Sequence, residues 1–518
     1  MAALCSAVVL GASILPPVHA QSRARGIDNL PALGEASVDE LSPAAEQRLG
    51  EQIFHEFLRI GAVWDDPEAT DMIADRAMRL LQAAGRLGHA DADRGFRFFL
   101  VKDPSLNAFA LPGGYIGIHT GLITASEREA EVMSVLAHEI GHVTQRHIAR
   151  MFGQSRQSSA VMIAAALLAA MAAKSSPDAA MGVLSLGQTV AVRDQLAFSR
   201  DAEREADRVG LQILSESGFN PQSMAAMFER LGQAGRLYDN NAPAYLRTHP
   251  LTTERIADIQ SRLQNDPNLR HAIANTSAQD QLGYDWLRAK LSALADPRVD
   301  GLRQVRQRFE AQLTALPGVL DARAREQRSG AIQFGLAWIA IAEREPVRAL
   351  EHHRQAAASV QRAGIREAVA PLLDHLRLRI ALLAGDRAEM EKIAQTAATD
   401  HPQSRTIQRA AVETLLAAST PLDATAQRAR AITQRWPWDP AGWELLVRAE
   451  SARGKRTAQH AAAAERYALL GAYAAAVEQL TLARSAADAD FVTLSKVDAR
   501  LAAMRAMLRR EQLERAKP

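Results

Sequence analysis

The chain has 518 residues, 47% of them hydrophobic and 23% charged, which is enough to bury the cores of two or three domains. A formal net charge of +2, with no Lys/Arg block of the kind that tracks phosphates, excludes nucleic acid as an expected partner. The single cysteine, Cys5, lies at the very start, so a chain that loses its first segment has no disulfide and no thiolate ligand, and any metal chemistry falls to His and carboxylates.

The opening stretch MAALCSAVVLGASILPPVHA carries no charge apart from His19 and ends in Val-His-Ala before Gln21. Residues 1–20 are therefore expected to be a secretory signal with a small-residue cleavage site, although the usual positive leader is absent. A polar lead-in follows to about residue 45. From Pro43 to about Leu87, apolar residues recur at helical spacing: Ile53, Phe57 and Ile60, then Ile73, Met78 and Leu81. The period then changes to two. FRFFLVKD (Phe96 to Asp103) and NAFALPGGYIGIHTGLI (Asn107 to Ile123) predict strands, with Leu-Pro-Gly-Gly at 111–114 as a hairpin turn. Part of 107–118 is expected to be an edge strand whose unpaired groups bind extended substrate, with Asn107, Ala108 and Phe109 as the binding residues. His119 reads as a structural histidine.

VLAHEIGHVTQRH (Val135 to His147) comes next, inside a segment apolar nearly all round, as a core helix is. His138 and His142 stand at i and i+4 and project from one face, close enough to share an ion, with Glu139 one step round. His-Glu-x-x-His on a helix is the signature of zinc hydrolases, in which the Glu takes a proton from the attacking water. A surface patch or a hydrogen-bonded His pair is the alternative, and burying three polar groups without a cation disfavours it. His147, counted onward along the same helix, falls on a different face from His142 and is expected at the surface.

SSAVMIAAALLAAMAA (Ser158 to Ala173) is too short to span a bilayer. It reads as a packed helix or lid, with peripheral membrane contact as the alternative. FSRDAEREADRVG (Phe198 to Gly210) offers Glu203 and Asp207 at i and i+4, with Glu205 pointing away. If Glu203 faces an ion, Asp207 can brace the far nitrogen of a liganding His. The residues alone leave this helix open between a solvated face and a source of the third ligand.

Beyond about residue 290 only helices are expected. Gly385, Ala394 and Ala397 recur at the offsets of Gly471, Leu480 and Ala483, and Asp400-His-Pro402 is echoed by Trp438-Asp-Pro440. That pattern resembles tetratricopeptide repeats, in which small residues let paired helices stack.

HEIGH, followed some way on by EREAD and then by Thr-His-Pro at 248–250, resembles the zinc endopeptidase family of HtpX and the CAAX prenyl proteases. The likeness is specific over about residues 28–260 and architectural over the C-terminal third. It implies one zinc per chain, Glu203 as third ligand, and His249 beside the metal as a gate or an oxyanion donor. Without the membrane spans of those relatives, the chain resembles the soluble, repeat-bearing branch. The expected fold is α+β: a mainly helical zincin peptidase domain with a small sheet over 21–285, then an all-α tetratricopeptide-like solenoid over 300–518. The expected function is that of a periplasmic zinc endopeptidase that degrades misassembled outer-membrane β-barrel proteins and assists their assembly, with the repeats binding the assembly machinery. A chaperone or scaffold with a mostly silent metal site is the alternative.

Overall fold

A computed structural model describes residues 42–89, 95–153, 199–236, 244–274, 279–318, 321–419 and 421–515. The expected signal segment, residues 1–20, and the Ala-rich stretch 158–173 lie outside the described residues. Two helices come first, α1 (Pro43–Arg59) and α2 (Pro67–Arg86). Each starts the same way: Ser42 or Asp66 accepts a hydrogen bond from an N–H of the first turn, and a proline follows at the first helical position. Ile60 caps α1 and Met78 lies on the outer face of α2, so both are exposed despite their helical spacing.

The sheet has strands β1 (Arg97–Val101), β2 (Ala108–Leu111) and β3 (Tyr115–His119) in the order β1-β3-β2. β1 runs parallel to β3. β2 pairs antiparallel with β3, Leu111 opposite Tyr115, across the turn Pro112–Gly114, where Gly113 and Gly114 take positive φ of 73° and 85°. β2 and β3 thus form the expected hairpin, and among the described residues β2 is an outer strand.

Among the described residues, seven helices complete this part of the chain: α3 (Thr120–Ala125), α4 (Glu129–Thr144), α5 (His147–Gly153), α6 (Arg200–Glu216), α7 (Gln222–Arg236), α8 (Ala244–Thr248) and α9 (Thr253–Asn265). Ile73 and Leu80 of α2, Leu100, Ile116 and Ile118 of the sheet, Val132, Leu136 and Ile140 of α4, and Ile213 of α6 share one core. α4 runs through its centre, which is why its sequence is apolar nearly all round.

After α10 (Pro267–Ala274) the described chain is wholly helical: α11 (Gln279–Leu294), α12 (Val299–Ala315), α13 (Ala322–Ala342), α14 (Pro346–Ala363), α15 (Arg366–Ala384), α16 (Arg387–Asp400), α17 (Arg405–Ala417), and five more from Leu422–Arg435 to Phe491–Arg515. Gly385 and Gly471 both adopt positive φ at helix ends, and Ala394, Ala397, Leu480 and Ala483 are all buried, so the recurring offsets have recurring structure. α11 belongs to two cores at once. Tyr284, Leu287 and Leu291 face the core around α4, while Trp286, Ala289 and Ala293 pack with Phe334 and Ile339 of α13.

A second connection is ionic. The start of α2 and the residue before its cap present Asp65, Asp66, Glu68 and Asp71 to the helical array. Lys290 Nζ lies 2.8 Å from Asp66 Oδ2 and from Glu68 Oε2, and His375 Nδ1 lies 3.2 Å from Glu68 Oε1. Arg405 reaches Asp71 at 2.7 Å, and Arg409 reaches Asp65 at 2.5 Å.

Candidate metal centre

α4 and α6 cross with almost no space between their backbones. A Cβ on Gly141 would lie 3.1 Å from the Ala206 carbonyl oxygen, and one on Gly210 would lie 3.0 Å from the His138 Cα. The two glycines permit this approach, and it sets Glu203 against both histidines of HEIGH. Ser199 caps α6 by accepting from the Ala202 N–H, so Glu203 stands in its first turn. The third element is the residue after α8. The His249 N–H donates to the Tyr245 carbonyl at 2.8 Å, and the Tyr245 ring stacks on the imidazole at 4.6 Å between centroids.

One donor atom from each of His138, His142, Glu203 and His249 falls within 4.8 Å of all the others, and each of these residues is 1% exposed or less. His142 Nε2 is 3.0 Å from His138 Nε2 and 3.3 Å from Glu203 Oε1. His249 Nδ1 is 2.9 Å from Glu203 Oε1 and 3.4 Å from His138 Nε2. Ligands at about 2.0–2.1 Å around a tetrahedral ion stand roughly 3.3 Å apart, so these spacings fit a cation at the centre of the four. Imidazole nitrogens turned toward each other in a buried site, with a carboxylate among them, are otherwise unfavourable.

The charges agree with that reading. Burial holds His142 well below its ordinary pKa, as a neutral ligand must be. Burial alone would raise the Glu203 carboxyl, but the charge of His249 and hydrogen bonds from His142 and His249 hold it far below the usual carboxylate range. Glu139 behaves differently. Burial pushes its carboxyl up against the pull of His249 and His138, and neither of its oxygens has a hydrogen bond of good geometry. Its Oε1 is 3.6 Å from His249 Nε2, and the Ala110 backbone of β2 lies near enough to lower its pKa slightly. A buried, uncommitted carboxylate therefore sits between the donor cluster and the outer strand.

Asp207 Oδ1 lies 2.9 Å from the far nitrogen of His138. Arg255 of α9 grips both oxygens of Asp207 at 2.7 and 2.8 Å, and it also reaches Glu203 Oε2 at 2.6 Å and donates to the Pro250 carbonyl at 2.8 Å. One guanidinium thus fixes two carboxylates of α6 and the loop that carries His249. Sequence reasoning passes over Arg255 and Tyr245. The signal available was an Arg close behind Thr-His-Pro, at a place where two buried acids need a cation.

His147 is a correction: it is buried, not at the surface, with Nδ1 2.9 Å from His142 Nδ1 and Nε2 3.0 Å from Glu205 Oε2. The surface reading assumed one continuous helix. α4 instead ends at Thr144, and Arg146 takes the left-handed conformation at φ 54°, which swings His147 back beneath His142. That backbone costs a non-glycine residue about 1–2 kcal/mol, and Glu46 of α1 holds Arg146 there at 2.7 Å. Glu205 does point away from the donor cluster, toward His147. His119 is bound by Ser105 Oγ at 2.8 Å and Asn107 Nδ2 at 3.3 Å, so the Asn107 side chain is engaged inside the fold. Ala108 and Phe109 are buried, with the Phe109 ring packed on Phe57 and Phe99, which leaves the backbone of β2 to meet any substrate.

The fold and this site define a metalloendopeptidase. Residues 72–263 match the model of Peptidase family M48. The chain resembles known proteins well past that stretch. It is 29% identical to the beta-barrel assembly-enhancing protease of Escherichia coli K12, over 98% of this chain and 97% of that one. It is 28% identical, over the same shares, to the protein of that name in Yersinia pestis. It is also 32% identical to the mitochondrial metalloendopeptidase OMA1 of Schizosaccharomyces pombe, over 33% of this chain and 48% of that protein. Among the described residues no helix is long and apolar enough to cross a membrane.

Proposed function

We propose that this protein is a periplasmic zinc endopeptidase that acts on misassembled outer-membrane β-barrel proteins and assists their assembly. The likeness to the beta-barrel assembly-enhancing proteases over nearly the whole chain and the signal-like first residues support the setting. The observation that carries the chemistry is the buried cluster of three histidines and one carboxylate with the uncommitted Glu139 beside it. His138, His142 and Glu203 hold the zinc, and Asp207 braces His138. A zinc held there would supply Lewis-acid polarisation of a peptide carbonyl and would lower the pKa of a water to about 7. Glu139 takes the proton of the attacking water and passes it to the leaving nitrogen, and its raised pKa suits it to hold that proton between the two steps. Substrate lies extended along β2, pairing through backbone groups near Asn107, Ala108 and Phe109, which selects unfolded or strand-edge polypeptide over a fixed sequence. The array beyond residue 300 binds clients or the assembly machinery as tetratricopeptide-like repeats.

His249 closes the site. With its Nδ1 among the donors, His249 would join His138, His142 and Glu203 in holding the ion and would take the place that a water needs. The alternative, a chaperone with a mostly silent centre, is not favoured by the likeness to the beta-barrel assembly-enhancing proteases. Zinc analysis of the purified chain with casein hydrolysis, with and without chelator, separates the two. His249→Ala is expected to raise hydrolysis or self-cleavage at unchanged zinc, by about tenfold if the closed state is favoured by about 1.4 kcal/mol. A fall of about a hundredfold with zinc retained would make His249 an oxyanion donor instead. Casein left intact by both parent and variant would leave the chaperone reading standing.

A further inference from the structure

The reading of His142 as a metal ligand leaves a question about its proton. A histidine that gives its Nε2 lone pair to a metal carries its proton on Nδ1 and needs an acceptor there. For His138 that position faces a carboxylate, Asp207. For His142 it faces another imidazole, His147, whose Nδ1 is 2.9 Å away.

Either ring can donate across that contact, and the choice decides whether His142 binds metal. If His147 donates, the proton of His142 sits on Nε2 and its lone pair is turned away from the cluster. Glu205 removes the ambiguity. Its Oε2 lies 3.0 Å from His147 Nε2, and a carboxylate only accepts, so the proton of His147 is held on Nε2 and its Nδ1 is left to accept from His142. Arg150 pairs with the same oxygen at 3.2 Å and keeps the carboxylate in place. The left-handed Arg146, pinned by Glu46, is the feature that returns His147 to this position.

We infer that Glu205 and His147 form a tautomer relay that points the Nε2 lone pair of His142 at the metal. Both act through His142 and are positioning residues, and the inference rests on the ligand reading above.

The experiment is zinc affinity of the full chain, measured in competition with a chromophoric chelator. His147→Phe and Glu205→Ala are each expected to weaken binding by about 10- to 100-fold. The double variant should be no weaker than His147→Phe alone, because Glu205 works only through His147. Glu205→Gln, whose side-chain carbonyl still accepts from Nε2–H, should recover most of the loss. Parent-like affinity in Glu205→Ala, or additive losses in the double variant, would overturn the relay. Glu205 is partly exposed, so its two variants decide the matter even if His147→Phe fails to fold. If His142→Ala bound zinc as the parent does, the ligand reading itself would fall and the relay with it. Loss in His142→Ala alongside parent affinity in Glu205→Ala would reject the relay alone.

Discussion

Glu139→Gln is expected to keep its zinc and lose peptide hydrolysis by a factor of about 10²–10⁴, the usual contribution of a positioned general base. The substitution is nearly isosteric and touches none of the four clustered donors. Gln cannot take the proton of the attacking water, and it cannot return one to the leaving nitrogen. Stability should not suffer, because the parent buries a carboxyl without a well-formed hydrogen bond, and a neutral amide lowers the cost of burial. The measurement is casein turnover beside metal content and a thermal melt. Parent-like turnover in this variant would end the enzymatic reading. Lost zinc would show instead that Glu139 helps to hold the cluster together.

How much of this was legible in the sequence differs from element to element. Periodicity located α1 and α2, because each buries one face and its apolar residues record that face. The strands were marked instead by their aromatic and branched residues, since β1 and β3 are buried on both faces. HEIGH marked its own helix, since two histidines and a glutamate inside a core helix are costly to bury without a cation. Glu203 was a candidate on spacing and became the expected ligand only through the resemblance, because a helix rich in Asp, Glu and Arg looks the same whether it faces water or a cation. The buried position of His147 was not legible at all. It depends on a left-handed residue at Arg146, and Arg, unlike Gly, does not advertise that conformation. The role of α11 in two cores was hidden for a related reason: a helix buried on two sides has no single apolar stripe to read.

The largest stability change is expected where the two parts of the molecule meet. Lys290 is 2% exposed and is the ammonium against which both Asp66 and Glu68 are buried, so Lys290→Met leaves two carboxylates in the interior without it. Removing one partner of a buried ion pair costs about 3–5 kcal/mol, because the remaining charge keeps its desolvation penalty. The pH dependence gives the cause a signature. Burial alone would raise Glu68, but the charges of Lys290 and His375 and their hydrogen bonds bring its pKa down from 4.5 to about 2. A folded pKa below the unfolded one contributes stability that is fully present above the unfolded value and is lost as pH falls through the folded value. The parent should therefore lose this contribution between about pH 4.5 and pH 2. In Lys290→Met the carboxyl keeps only His375 as a partner of opposite charge, its pKa rises, and protonation becomes a relief. The gap in unfolding midpoint between parent and variant should be widest near neutral pH and close as the solution is acidified. A gap of the same size at about pH 3 and pH 7 would assign the loss to the contact of the ammonium with the Trp338 ring, 4.9 Å from Nζ, and not to the ion pairs. No gap at neutral pH would mean that the junction between α2 and the helical array does not depend on Lys290 and is held by the apolar faces of α11 with the Arg405 and Arg409 pairs.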